Sequence, residues 1–523
     1  MRKFFLIFTL AWIGVSAALL TGAQPTPKIH SAQSHAELAV AFLEGLQPSE
    51  RQYIRFLSFY NYDVESILTR RVKSQRFWVN NIHFEQALAF PYVVNGSEKR
   101  LYWIDLREFG WSAEDWQLVA RREPYFCEPM DSATAILLRK YIGVDQDPKT
   151  LHLEAIVRAD WFFRETFESD RSPSYYDLLY SRFHKRTAGT TETYDEVVTP
   201  ATKDGYQTFR GPDGRLYQQM VKGKPAVTRK VTKSGTAGAR VRFPKNENDF
   251  ERVFGVDKFR EILKELKIDT RHGAVVEGTE KSVSIVARQN RLIERIQTTI
   301  SEYYKTFDVK ETTGKRDFAE TLNKDFEFDA GEILAGLPGG GMAALLVDNK
   351  GVIVETADNR FATDNSDLKY DSRVRTPGSC FICHEQKYIK PKNLVEDLLK
   401  AGIDIKFKNK LRAIEAKGFF LDWTDKLEYE QARFEKFIIR TSGYRAGENA
   451  LALKTWRDEY DAPVTRAVAA KELGLPENVF RLVGAKSTKA RVLMLVQGDS
   501  IPRVTWEKDV YYEMLKLIDS QRK

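Results

Sequence analysis

The stretch Ala344-Leu345-Leu346-Val347-Asp348-Asn349-Lys350-Gly351-Val352-Ile353-Val354-Glu355 sets two apolar runs on either side of Asn349-Lys350-Gly351, a turn sequence. Aliphatic and β-branched runs joined by such a turn predict a β-hairpin. Upstream, Leu337-Pro338-Gly339-Gly340-Gly341 lacks the Lys and Ser or Thr that a phosphate-cradling loop needs. Those glycines therefore read as a tight backbone passage. Further upstream the spacing predicts an amphipathic helix over Phe254 to Leu266 and a strand over Ser282 to Ala287. Leu292, Ile293, Ile296 and Ile300 predict a second helix over Gln289 to Tyr304.

Away from the hairpin the patterns are mostly helical. Leu38, Phe42 and Leu46 recur every four residues, and Tyr53, Ile54, Leu57 and Tyr60 make another apolar face. Leu101 to Ile104 reads as a short strand, and Ser112 with Asp115 as a capping box ahead of Trp116. Trp161-Phe162-Phe163 and Tyr175-Tyr176 are expected in a core, and Asn95-Gly96-Ser97 is read as a turn, although it also matches a glycosylation sequon. After Pro391, Leu427, Phe434 and Ile438 form an apolar seam. Gly474 is placed to end one helix and Pro476 to begin the next. The expected fold class is mainly α with small β elements, multidomain, with an α+β region around the hairpin. The segments are 1–23 as a leader, 24–184 mostly helical, 185–245 a basic β-hairpin insert, 246–390 α+β, and 391–523 helical. In the insert, turns at Gly211-Pro212-Asp213-Gly214 and near Lys222-Gly223-Lys224-Pro225 accompany basic residues from Lys222 to Arg242.

Across its 523 residues the chain is 29% charged and 42% hydrophobic, which suits a folded core and excludes a collagen-like or largely disordered protein. Arg2 and Lys3, the apolar run from Phe4 to Leu20 and the small residues before Gln24 read as a secretory signal cleaved after Ala23. An uncleaved anchor is the alternative. The formal charge of +8 includes Arg2 and Lys3, so the processed chain carries +6, too mild and dispersed to imply nucleic-acid binding. The basic insert could dock an acidic partner or a membrane surface, but a solvated face is the plainer reading, and no membrane partner is predicted.

Only three cysteines are present, so disulfides are not the framework. Two of them lie in Ser379-Cys380-Phe381-Ile382-Cys383-His384, a C-x-x-C-H pattern. That spacing lets Cys380 and Cys383 form thioethers to the two vinyl groups of one haem, with His384 as axial iron ligand. Covalent attachment suits an exported chain, whose cofactor would otherwise dissociate into open space. Zinc would need further ligands, and only Cys127 and scattered histidines remain. A thioredoxin-like pair or a plain thiol pair leaves His384 unused. Arg373 and Arg375 are placed to pair with haem propionates or to be solvated.

Several segments in this order look like a group of large, mostly uncharacterised bacterial secreted mono-haem cytochrome-c-like proteins. They are Arg55 to Tyr60, Ile104 to Arg107, Arg158 to Phe162, Asp329 to Ile333, Leu337 to Gly340, Leu345 to Asp348 followed by Gly351, the C-x-x-C-H pattern, and Ala469 to Leu475. The resemblance implies one covalently bound haem c and export to the periplasm or beyond, but no defined reaction.

The expected function is electron transfer with an unknown redox partner protein. The alternatives are a peroxidase-like haem enzyme or gas or redox sensor with an open iron site, and a non-haem structural or interaction protein. No His or Met lies between His384 and Met494. A sixth iron ligand of either type must then come from elsewhere, with Met342 preferred over His272 and Met494.

Overall fold

The structure is a computed structural model that describes residues 32–62, 64–84, 88–120, 122–125, 133–143, 155–168, 178–179, 206–210, 216–220, 246–276, 279–280, 284–286, 289–311, 313–317, 321, 325–358, 362–364, 373–384, 388, 395–400, 405–416, 424–444 and 452–522. The leader, Cys127, Tyr175-Tyr176, the two turns of the insert and its basic residues from Lys222 to Arg242 lie outside these. Among the described residues the chain is mainly helical with small sheets, and no helix is long and apolar enough to cross a membrane.

The N-terminal part folds helices around a four-stranded sheet. Helix α1 (Ala32–Glu44) is followed by β1 (Ile54–Ser58), α2 (Glu65–Asn81), β2 (Tyr92–Val93), β3 (Leu101–Asp105), β4 (Ile156–Arg158) and α3 (Ala159–Phe167). The strand order is β2-β3-β1-β4, with β1 antiparallel to β3 and parallel to β4. The helical face expected from Tyr53, Ile54, Leu57 and Tyr60 is thus a central strand. All five residues of β1 are buried, Arg55 and Ser58 included, so a strand covered on both faces leaves no clean alternation and helical spacing arises by chance. The capping box is present: Ser112 Oγ accepts from the Asp115 N–H, and Asp115 Oδ2 from the Ser112 N–H. In the Asn95-Gly96-Ser97 turn, the Ser97 hydroxyl donates to the Val94 carbonyl at 2.6 Å.

Among the described residues, strands β5 (Tyr206–Arg210) and β6 (Leu216–Met220) pair only with each other. The predicted helix from Phe254 to Leu266 is α5 (Val256–Glu265), and a further helix, α4 (Glu247–Phe254), precedes it, parted from it at Gly255 with φ of +70°. A six-stranded antiparallel sheet follows, from β7 (Arg271–Val276), β10 (Gln289–Gln297), β11 (Glu302–Phe307), β12 (Ala330–Gly336), β13 (Met342–Asp348) and β14 (Ile353–Val354). The short strands β8 (Thr279–Glu280), β9 (Ser284–Val286) and β15 (Ala362–Asp364) form a separate sheet. The helix expected over Gln289 to Tyr304 is instead the β10–β11 hairpin. Thr298 closes its turn, its Oγ1 accepting from the N–H groups of Ile300 and Ser301. Both faces of this sheet are covered, so its strands lack a clean alternation and the helical spacing arises by chance. The hairpin of β13 and β14 around Asn349-Lys350-Gly351 is as expected.

The ladder register sorts the six-stranded sheet into two faces. Tyr303 and Lys305 point to α4, where they meet Glu251 and Glu247. Tyr304 points to the opposite face, where its hydroxyl donates to Glu430 on α7 (Thr424–Ser442). Helix α6 (Gly378–His384) belongs to this second face, together with α7. The chain ends in a helical set that includes α8 (Leu453–Asp461) and α9 (Arg466–Glu472). Gly474 follows α9, and Pro476 begins Glu477–Gly484. Packing runs across the expected boundaries at 245 and 390. One buried cluster includes Phe77, Trp78, Phe163, Leu345, Phe381, Phe434, Trp456 and Met514.

Candidate haem-attachment site

Helix α6 is two turns long, and its stability comes from packing rather than propensity. Its entry is held by the Thr376 N–H donating to the Glu355 carbonyl at 3.0 Å and the Ser379 N–H to the Arg375 carbonyl at 2.9 Å. Gly378 lies so close to α3 that a Cβ there would meet the Phe167 carbonyl oxygen at 2.8 Å and Glu168 Cγ at 2.9 Å. From the other side, the Phe381 ring meets Trp78 edge-on at 5.4 Å and Phe77 at 6.5 Å. Trp78 in turn lies against Phe163 and Phe167, and its indole N–H donates to Thr166. An aromatic wall from α2 and α3 thus fixes the helix through the residue between its two cysteines.

Within α6, Cys380, Cys383 and His384 stand three and four positions apart, the spacing that brings side chains to one helical face. Cys380 and Cys383 are free thiols, not joined to each other. Cys380 is 3% exposed, Cys383 is half-buried and His384 is buried. Burial pushes the Cys380 thiol well up, and the Glu332 carboxylate beside it, on β12, adds to that. The alternation on β12 and β13 puts Glu332, Leu346, Ala344 and Met342 on the same face of the sheet.

Met342 is fully buried. Its N–H donates to Asn81 Oδ1 at 3.0 Å, and its carbonyl accepts from Asn81 Nδ2 at 3.1 Å. The glycines before it do permit close approach, since a Cβ on Gly341 would lie 2.8 Å from Asn81 Oδ1 and 3.1 Å from Phe437. Met342 therefore adjoins α2, the helix that also supports Phe381. His272 is on β7, and its pairing with Ile293 puts it on the Tyr304 face as well, at the far edge of the sheet. Burial lowers its pKa. Met494 is packed at the margin of the core within Ala490–Gln497.

Arg375 is turned to Glu168, 3.5 Å away, and Glu168 also takes Arg164 at 3.1 Å and Arg457 at 3.4 Å. Arg373 forms an isolated bridge with Thr363. Near the C-terminal end of the motif, the Tyr388 hydroxyl donates to Glu302 at 2.7 Å, and Arg433 pairs with the same carboxylate. Glu332, Glu168, Glu302 and Trp78 join the site only through long-range packing, so no local pattern marks them. Among the described residues no group of three or more His, Cys, Asp or Glu side chains is arranged to hold a metal ion. No protein family, curated protein or solved structure matches the chain.

Proposed function

We propose that the protein is an exported mono-haem c-type cytochrome-like protein whose work is electron transfer. One observation carries this reading: two unlinked thiols and an imidazole share one face of a helix that packs on a buried aromatic wall. The donor set fits haem c. Cys380 and Cys383 would hold it by thioethers and His384 would ligate the iron. The bound group would supply a one-electron couple. This chain contributes orientation through Phe381 and a dry apolar surround from Phe77 and Trp78, which limits solvent rearrangement when charge changes. Met342 is the proposed sixth ligand, on the sheet face that carries Glu332. The partner is a redox protein of the same compartment, reached after cleavage of the leader at Ala23.

A second reading, an enzyme or sensor with an open iron position, is favoured by Glu332, an ionisable group beside Cys380 of the kind that oxygen and peroxide chemistry employs. Absorption spectra of the exported protein, oxidised, reduced and under carbon monoxide, separate the two. A low-spin spectrum indifferent to carbon monoxide supports the carrier. A high-spin spectrum that responds readily to carbon monoxide supports the open site. Replacing Cys380 and Cys383 together by Ala is expected to abolish covalent haem staining in a denaturing gel, and a persisting stain overturns both readings.

A further inference from the structure

The face of the six-stranded sheet opposite α6 carries a cleft of about 270 Å³ between α4, β11 and the β13–β14 turn. Its floor contains Lys305, whose ammonium pairs with Glu247 and lies 4.6 Å from the ring centre of Phe307 and 5.2 Å from that of Phe328. Arg271 and Lys350 also line it. The two carboxylates of the cleft, Glu247 and Glu251, are already engaged. Glu251 holds Arg260 through two contacts, at 2.5 and 2.6 Å, and accepts from the Tyr303 hydroxyl at 2.6 Å. Glu294, below the cleft, takes Arg260 at 2.8 Å and the Thr270 hydroxyl at 2.8 Å, and reaches Arg271 only at 4.0 Å.

The charges in the cleft therefore do not balance. Arg271 has one distant, shared carboxylate, and the Lys350 ammonium has no ion-pair partner among the described residues. Glu247 is taken up by Lys305 and Glu251 by Arg260, so neither carboxylate is left over for the two cations at the mouth. Arg271 and Lys350 thus face one concave space with an aromatic wall and the paired Lys305 beside them, an arrangement whose missing element is negative charge.

We propose that this cleft is a binding site for a small oxyanion, a carboxylate or phosphate, held by Arg271 and Lys350 at the mouth with Lys305 beneath and any apolar part of the ligand against Phe328. The site is separate from haem attachment and stands whether or not α6 carries a cofactor.

The test is isothermal titration of the full exported chain with succinate and, separately, inorganic phosphate, at constant ionic strength. Single-site saturable binding of one or both is expected, and the arm that binds more tightly distinguishes a carboxylate from a phosphate ligand. Arg271→Ala and Lys350→Ala, both at exposed or half-exposed positions, should each weaken binding about tenfold. Lys516→Ala, an exposed position on the C-terminal helix outside the cleft lining, should leave it unchanged. Absence of saturable binding by both anions, or binding that survives the Arg271→Ala/Lys350→Ala double replacement, overturns the proposal. A normal thermal midpoint for each variant excludes misfolding as the cause.

Discussion

Glu472 shows how single residues join distant parts of this chain. Its carboxylate is buried and accepts from Arg503 Nη1 at 2.7 Å and the Trp506 indole at 2.8 Å, with Arg158 at 3.2 Å. Burial alone would push its pKa up, but the two guanidiniums prevail and hold it at about 2, below the ordinary 4.5. A carboxyl depressed in the folded state stabilises the fold above its unfolded pKa and loses that contribution as the pH falls. The depression amounts to roughly 3 kcal/mol near neutrality, of which roughly 2 is gone by pH 3. Denaturant unfolding should therefore show a fall in stability between about pH 5 and 2. Glu472→Gln should flatten that fall and cost about 3–5 kcal/mol at pH 7, because it leaves buried Arg503 without its counter-charge and Arg158 with Asp160 alone. An unchanged pH profile in the variant would refute this role. At the same scale, Met342→Leu keeps core volume and should cost under about 1.5 kcal/mol. If the thioether ligates iron, this replacement converts a low-spin spectrum to high spin, whereas His272→Ala leaves it unaltered.

At the scale of elements, what is legible in the sequence depends on how local the cause is. That Cys380, Cys383 and His384 lie together was readable because their spacing is that of one helical turn. The Ser112–Asp115 box and the hairpin around Asn349 are equally local. Strand β1 and the β10–β11 hairpin were not legible, because burial on both faces erases the alternation that distinguishes strand from helix. The surroundings of α6 were hidden for another reason: Phe381 meets Trp78, and Cys380 meets Glu332, across long stretches of chain. The seat of α6 yields a prediction. Gly378→Ala drives a Cβ into the Phe167 backbone, which cannot swing aside as a side-chain tip would, and should lower stability by about 1–3 kcal/mol in denaturant titrations. The β5–β6 pair offers the converse case. Since among the described residues these strands bond only to each other, replacing residues 185–245 with a short flexible link should leave the thermal midpoint, and the spectrum of any bound haem, unchanged. Loss of either would show that the insert is part of the core.

At the scale of the whole molecule, the segments on either side of residues 245 and 390 share one buried cluster and are tied by ion pairs such as Arg164 with Asp461 at 2.7 Å and Arg71 with Glu459. Such an interior should melt cooperatively. Calorimetry is expected to show one main transition, and two well-separated transitions would mean that the N-terminal and C-terminal parts are independently stable.

The buried pairing of Arg158 with Glu472 spans 314 positions, and this distance is also an interval of time. At 5–20 residues per second, Arg158 emerges roughly 15–60 s before the carboxylate that completes its surroundings. Through that interval the nascent chain cannot close its core, and the cysteines of α6 emerge before Glu472 does. Chemistry at Cys380, which the finished fold seals from solvent, thus has its natural opportunity before the core has closed.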